Sequence, residues 1–216
     1  MDGKAGRTIS QNYTVALGLA IFTIVFNIAE GLVSTYFGYE DGSLTLFGFG
    51  ADSFIEVVSG LGIAHMIIRI QRLPDSGRDD FERTALRITG FSFYGLVVGL
   101  VAIGIYNIAS GHRPTTTFWG IIVSVISIMV MCALVRQKRK VGKQLASEAI
   151  LADAECTRVC IYMSIVLLAA SAVYELTHIA YVDVIGTFGL AYFSYREGRE
   201  CFEMAAGKEC RSCESG

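Results

Sequence analysis

Proline and histidine are scarce in this chain of 216 residues, with two and three copies, and charged side chains make up only 18% of it. So few helix breakers and so few charges, set against 53% hydrophobic residues and a mean hydropathy of +0.51, exclude an ordinary soluble domain. The formal charge of −2 argues against nucleic acid as a partner. No small-residue cleavage site accompanies the first apolar stretch, which is too long for a signal peptide and is expected to stay in the mature chain. None of the six cysteines, Cys132, Cys156, Cys160, Cys201, Cys210 and Cys213, falls in a segment expected to face the exterior. A disulfide framework is therefore not expected, and ligand or redox roles are left to weigh.

What the chain does have is length in apolar runs. Six stretches, at 13–37, 44–70, 84–110, 116–135, 147–175 and 178–195, are each long enough at about 1.5 Å per residue to cross a hydrocarbon core of about 30 Å. Helices are the expected form, because backbone polar groups inside a bilayer must be satisfied within the segment. The fold class expected is all-α, a polytopic membrane protein of six transmembrane helices. Of the 18 Lys and Arg, all but Arg113 fall on one side or within a span, so the positive-inside rule places both termini in the cytoplasm. The expected organisation is a cytoplasmic N-terminal segment at 1–12, a transport domain at 13–198 and a short Cys-containing tail at 199–216. Short loops and this small tail point to a bacterial inner membrane.

Within the spans, Asp52 and Glu56 stand four apart in the second, and Cys156 and Cys160 stand four apart in the fifth. That spacing puts each pair on one helix face. Two thiols at helical spacing also occur as small hydrophobes. Two carboxylates on one face near the membrane midplane are harder to discount, since each costs about 2.5–3.5 kcal/mol to place there. Counting residues along antiparallel spans sets Glu56 beside Cys156 and Asp52 beside Cys160. Together they offer two oxygens and two sulfurs to a metal ion. Thiolates favour zinc, cadmium, copper(I) or mercury over magnesium, calcium or manganese, and the carboxylates favour a divalent ion, so zinc or cadmium comes first. Ligands of both kinds must lose protons to bind metal, which couples metal release to proton entry. No resident cofactor is implied.

Other polar residues have plainer readings. Arg158 is expected to pair with Glu155 at i, i+3, and Asp153 and Glu155 serve either as an entry relay or as water-exposed interface residues. Glu30, Glu175, His178 and Asp183 are expected at the external end, as an acidic vestibule or a solvated rim. Small-residue pairs Gly95/Gly99 and Gly186/Gly189 suit close helix packing. Three rival functions remain open. One is a membrane thiol oxidoreductase using Cys156 and Cys160, which leaves Asp52 and Glu56 unexplained; another is a non-transporting scaffold. The third is an organic-cation exporter with Phe47, Phe49 and Phe54 around the acids.

The stretches Gly42-Ser43-Leu44 through Ala51-Asp52-Ser53-Phe54-Ile55-Glu56 and Ala152-Asp153-Ala154-Glu155-Cys156-Thr157-Arg158-Val159-Cys160 resemble the second and fifth transmembrane helices of the cation diffusion facilitators. Asn27, Glu30, Asp183, Gly198 and Glu200 add agreement. The resemblance covers the whole membrane region. It implies a homodimeric exporter of divalent metal working by proton antiport. Where the family carries His and Asp on its fifth helix this chain carries Cys156 and Cys160, and the family's usual cytoplasmic C-terminal domain is not matched.

Overall fold

The computed structural model of the chain describes residues 2–72, 80–111, 113–179 and 181–207. The Pro74–Gly77 turn, His112 and the Cys210 and Cys213 pair lie outside the described residues. Six helices follow one another: α1 (Asp2–Asp41), α2 (Leu44–Arg72), α3 (Asp80–Ser110), α4 (Phe118–Leu145), α5 (Glu148–Thr177) and α6 (Tyr181–Ala205). Both prolines, Pro74 and Pro114, fall between helices, so nothing interrupts the runs. Five helices are long and apolar enough to cross a membrane. The sixth is more polar, with Arg196, Glu197, Arg199, Glu200 and Glu203 in its second half.

Helix α4 runs past the expected end at 135 to Leu145, absorbing most of the basic connection, and stops where Ala146 turns left-handed at φ 47°. Lys and Arg are good helix formers, and two of these basic residues find partners on α5, so the helix has no reason to end at the membrane edge. The boundaries at 12/13 and 198/199 fall inside α1 and α6.

The helices pack chiefly in pairs, α1 on α2, α4 on α5 and α3 on α6, with α2 also touching each of the other helices. Close approach of α1 and α2 depends on glycine: a Cβ on Gly38 would collide with the Phe47 backbone, and one on Gly50 would stand 2.7 Å from the Thr35 nitrogen. Gly186 and Gly189 likewise press on Ala170 and Val166 of α5. Around Gly95 and Gly99 there is nothing within 4 Å, so that pair packs no helix of this chain.

Polarity is inverted relative to a soluble domain. Phe91, Val98, Tyr106 and Ile185 are 68–70% exposed, while Asn27, Ser34, Asp52, Thr89, Ser127 and Ser164 are buried. A surface of this kind is stable against lipid and not against water.

Two acids expected in an external vestibule are instead helix caps. Asp183 accepts from Ser43 Oγ at 2.7 Å and from the Leu44 nitrogen at 2.9 Å, closing the start of α2 from α6. Glu175 accepts from Thr116 Oγ1 at 2.7 Å and from the Thr117 nitrogen, closing the start of α4 from α5. First-turn amide donors need an acceptor, and inside an apolar layer a carboxylate from a neighbouring helix supplies it. Asp183→Ala should therefore cost about 1–2 kcal/mol of stability, as loss of an N-cap does, with Asp183→Asn milder. Thermal unfolding in detergent alongside a metal-ion titration checks this. Weaker metal binding at unchanged stability would make Asp183 a ligand rather than a cap.

Candidate metal centre

The bundle has two apolar layers toward its ends, and a third apolar cluster, Met131 with Leu134, packs on Cys160. One is built on Leu46, Phe49, Leu100, Met163, Leu167 and Leu190, near the start of α2. The other gathers Ala16, Ala20, Ile67, Val141 and Ile150 near its end. Asp52 and Glu56 lie between them. The ends of α2, α4 and α6 carry Arg69, Arg139 and Arg199 and mark the basic end of the bundle.

Glu56 is where three helices meet. Cys160 of α5 donates its thiol to Glu56 Oε1 at 2.6 Å, and Asn27 of α1 donates Nδ2 to Oε2 at 2.8 Å. Asp52, only 3% exposed, accepts instead from Ser194 Oγ of α6 at 3.2 Å. The expected register is therefore shifted by one turn. Cys160 sits beside Glu56 rather than Asp52, and Cys156 lies a turn closer to the basic end. The cause is that helix levels are set by contacts at their ends. Asp183 ties the start of α2 to α6, Glu175 ties the end of α5 to α4, and nothing requires the spans to begin flush with one plane. Among the described residues, no three His, Cys, Asp or Glu side chains share one coordination sphere. The acids and thiols of the two pairs thus stand along an axis.

Asn27, Glu56, Lys138, Cys156, Cys160 and Glu197 border a common cavity of about 50 Å³. One buried oxygen on its wall, Asn27 Oδ1, has no hydrogen-bond partner among the described residues. Glu30 accepts from Ser53 Oγ of α2 at 3.1 Å, beside the central acids rather than at the external rim. Uncompensated buried oxygens are costly unless something positive meets them, which suits a cation path.

A family model for the cation efflux transmembrane domain matches residues 14–205. The chain belongs to the cation efflux family. Among curated proteins, none matches it. Members of this family move metal cations across membranes and are transporters, not enzymes, and this one is an integral multi-pass membrane protein.

In this cation efflux protein the basic residues do more than orient the chain. Lys138, 2% exposed, donates to Asp153 Oδ1 at 3.0 Å and to Thr157 Oγ1 at 2.9 Å. Arg139 pairs with Glu155, which also meets Arg158 at 3.0 Å. The Arg158–Glu155 pair is as expected. Asp153 and Glu155 are not water-exposed interface residues, since both are buried in ion pairs that fasten α4 to α5. Glu82 of α3 is held in the same manner by Arg69 of α2.

Sequence reasoning missed Glu197, Ser194 and the interior place of Cys201, and used Asn27 only as a mark of resemblance. Ser194, Glu197 and Cys201 recur at helical spacing on α6, a polar stripe that was legible but was read as the edge of a tail. Glu197 also borders a groove of about 350 Å³ between α5 and α6, with Glu155, Arg158, Arg196 and Glu200. It stands where that groove and the interior cavity meet.

Proposed function

We propose that this protein exports a soft divalent cation, zinc or cadmium, in exchange for protons, with Asp52, Glu56, Cys160 and Cys156 as ligands met level by level along the axis rather than all at once. The observation that carries this is the meeting of a carboxylate, a thiol and an amide at Glu56, between two apolar layers and beside the unpartnered Asn27 Oδ1. Such a donor set suits a borderline ion better than one that prefers oxygen alone. Proton exchange follows from the ligands themselves, which give up protons to bind metal and lose metal when protonated.

Six spans with both termini in the cytoplasm fit the charge pattern, and 13–198 is then the membrane domain between a short lead and the tail. Helix α6 completes the count by turning Asp183, Thr187 and Ser194 inward and Ile185 and Tyr192 outward. With that orientation the layer on Leu46 and Phe49 closes the exterior side, while the cavity and groove open toward the cytoplasm. A homodimer in a bacterial inner membrane is the assembly we favour.

The rivals fit less well. Cys160 directs its thiol to Glu56, not to Cys156. Phe47 and Phe54 face outward and Phe49 packs in the apolar layer, so among the described residues only Phe93 brings an aromatic ring to the Glu56 cavity, which makes no cage for an organic cation.

Uptake of zinc, cadmium and manganese into inverted vesicles with an internal pH probe tests the reading. Zinc and cadmium entry should be matched by alkalinisation inside, with manganese excluded. Replacing Cys156 by His and Cys160 by Asp removes both soft donors, so the cadmium-to-zinc ratio should fall by about tenfold. An active double variant with the wild-type ratio would mean that these thiols do not touch the ion.

A further inference from the structure

We propose that Cys156, Cys201 and Met204 form a separate soft-donor station for a thiophilic divalent cation, one turn toward the basic end from the Glu56–Cys160 pair. It rests on the interior cavity being the cation path. All three residues border that cavity, together with Asn27, Glu56 and Cys160. Cys156 and Met204 also border a second small cavity of about 40 Å³ next to Asp153.

Levels along the bundle support the grouping. Ser194 of α6 is tied to Asp52 of α2, which sets the two helices in register. Seven residues on, Cys201 lies about 10 Å nearer the basic end. Glu56 is about 6 Å beyond Asp52, Cys160 is level with Glu56, and Cys156 is about 6 Å further. Cys156 and Cys201 therefore stand at the same height on facing helices, and neither is in a disulfide. Met204, three residues after Cys201, shares its face of α6.

The donors thus soften along the axis. Oxygen alone meets a cation at Asp52 and Ser194, oxygen with sulfur at Glu56 and Cys160, and sulfur at Cys156, Cys201 and Met204. A divalent ion held at the last level displaces two thiol protons to solvent, binds two thiolates and the neutral thioether, and keeps water in its remaining position. Ions that prefer oxygen gain little there, so the station selects before the central carboxylates are reached. Buried thiols packed as hydrophobes would sit in a filled core, whereas Cys201 borders space shared with an unpartnered amide oxygen of Asn27.

Competitive uptake of cadmium and zinc into proteoliposomes tests it, with wild type, Cys201→Ser, Met204→Leu and Cys156→Ser compared. Cys201→Ser and Met204→Leu should each lower the cadmium-to-zinc ratio by about three- to tenfold while zinc flux stays within about twofold. An unchanged ratio in both overturns the station. Cys156→Ser separates the two ideas. If it depresses zinc flux while the α6 variants change nothing, only the station fails; if it changes neither zinc flux nor the ratio, the central site fails too. Should Cys201→Ser not fold, alkylation of the wild-type chain decides. Cadmium should slow maleimide modification of Cys201 but not of Cys132, read by peptide mass spectrometry, and equal rates at Cys201 with and without cadmium overturn the proposal.

Discussion

Asp52→Ala should abolish metal uptake, and the purified variant should unfold no earlier than wild type. Asp52 is almost fully buried and its hydrogen bond to Ser194 is 3.2 Å long. A carboxylate at that depth costs several kcal/mol, and one long hydrogen bond from a hydroxyl recovers only about 1 kcal/mol. The freed Ser194 hydroxyl can turn back to its own helix, so little is left unsatisfied. On the proposed function the group would stabilise a bound cation and hardly anything else. Flux should fall by about 100-fold or more, the size expected when an anionic donor is removed from a metal site. Flux assays in proteoliposomes and melting curves in detergent, made on the same preparation, provide the check. Near-normal flux in Asp52→Ala would remove Asp52 from the ligand set, and lower stability at normal flux would make it a packing residue.

Lys138→Met should have the largest effect on stability. It leaves Asp153 buried without its ammonium, a loss of about 3–5 kcal/mol for a broken buried pair. Lys138→Met combined with Asp153→Leu should recover most of it, because both desolvated charges go together and the cavity wall becomes apolar. Glu56 and Cys160 are kept in the double variant, and the Lys138 ammonium that borders their cavity leaves together with the Asp153 carboxylate, so zinc binding should survive there. Chemical unfolding of wild type, both single variants and the double variant in detergent measures the cycle. A single variant as stable as wild type would mean that α4 and α5 are held by apolar contacts such as Met131 and Leu134 with Cys160.

Much of the fold is local physics and was open to inspection. Long apolar runs without proline can only be helices in a bilayer, so the existence and order of α1 to α5 were legible, though α1 and α4 run about ten residues past the expected bounds. Helix α6 was legible by its place in the count rather than by its apolarity. The two i, i+4 pairs were legible for the same reason, since a single helix fixes which residues share a face. The Arg158–Glu155 pair is of this kind as well.

What lay between helices was not legible. Which carboxylate meets which thiol depends on how α2 and α5 slide past each other, and a shift of one turn exchanges Asp52 for Glu56 opposite Cys160. That slide is set by capping contacts at the far ends, Asp183 to Ser43 and Glu175 to Thr116, between residues up to 140 positions apart. For the same reason Lys138, Asp153 and Glu155 passed for interface charges until α4 and α5 were seen to bury them against each other.

The sequence by itself determined the solvent this protein folds in, the number of helices offered to it and the residue types carried on each inward face. Composition and helical periodicity need no partner to act. Tertiary structure alone decided the order of donors along the axis, oxygen at Asp52, mixed at Glu56 and Cys160, sulfur at Cys156 and Cys201, because relative height is a property of packed pairs and is encoded in no single helix.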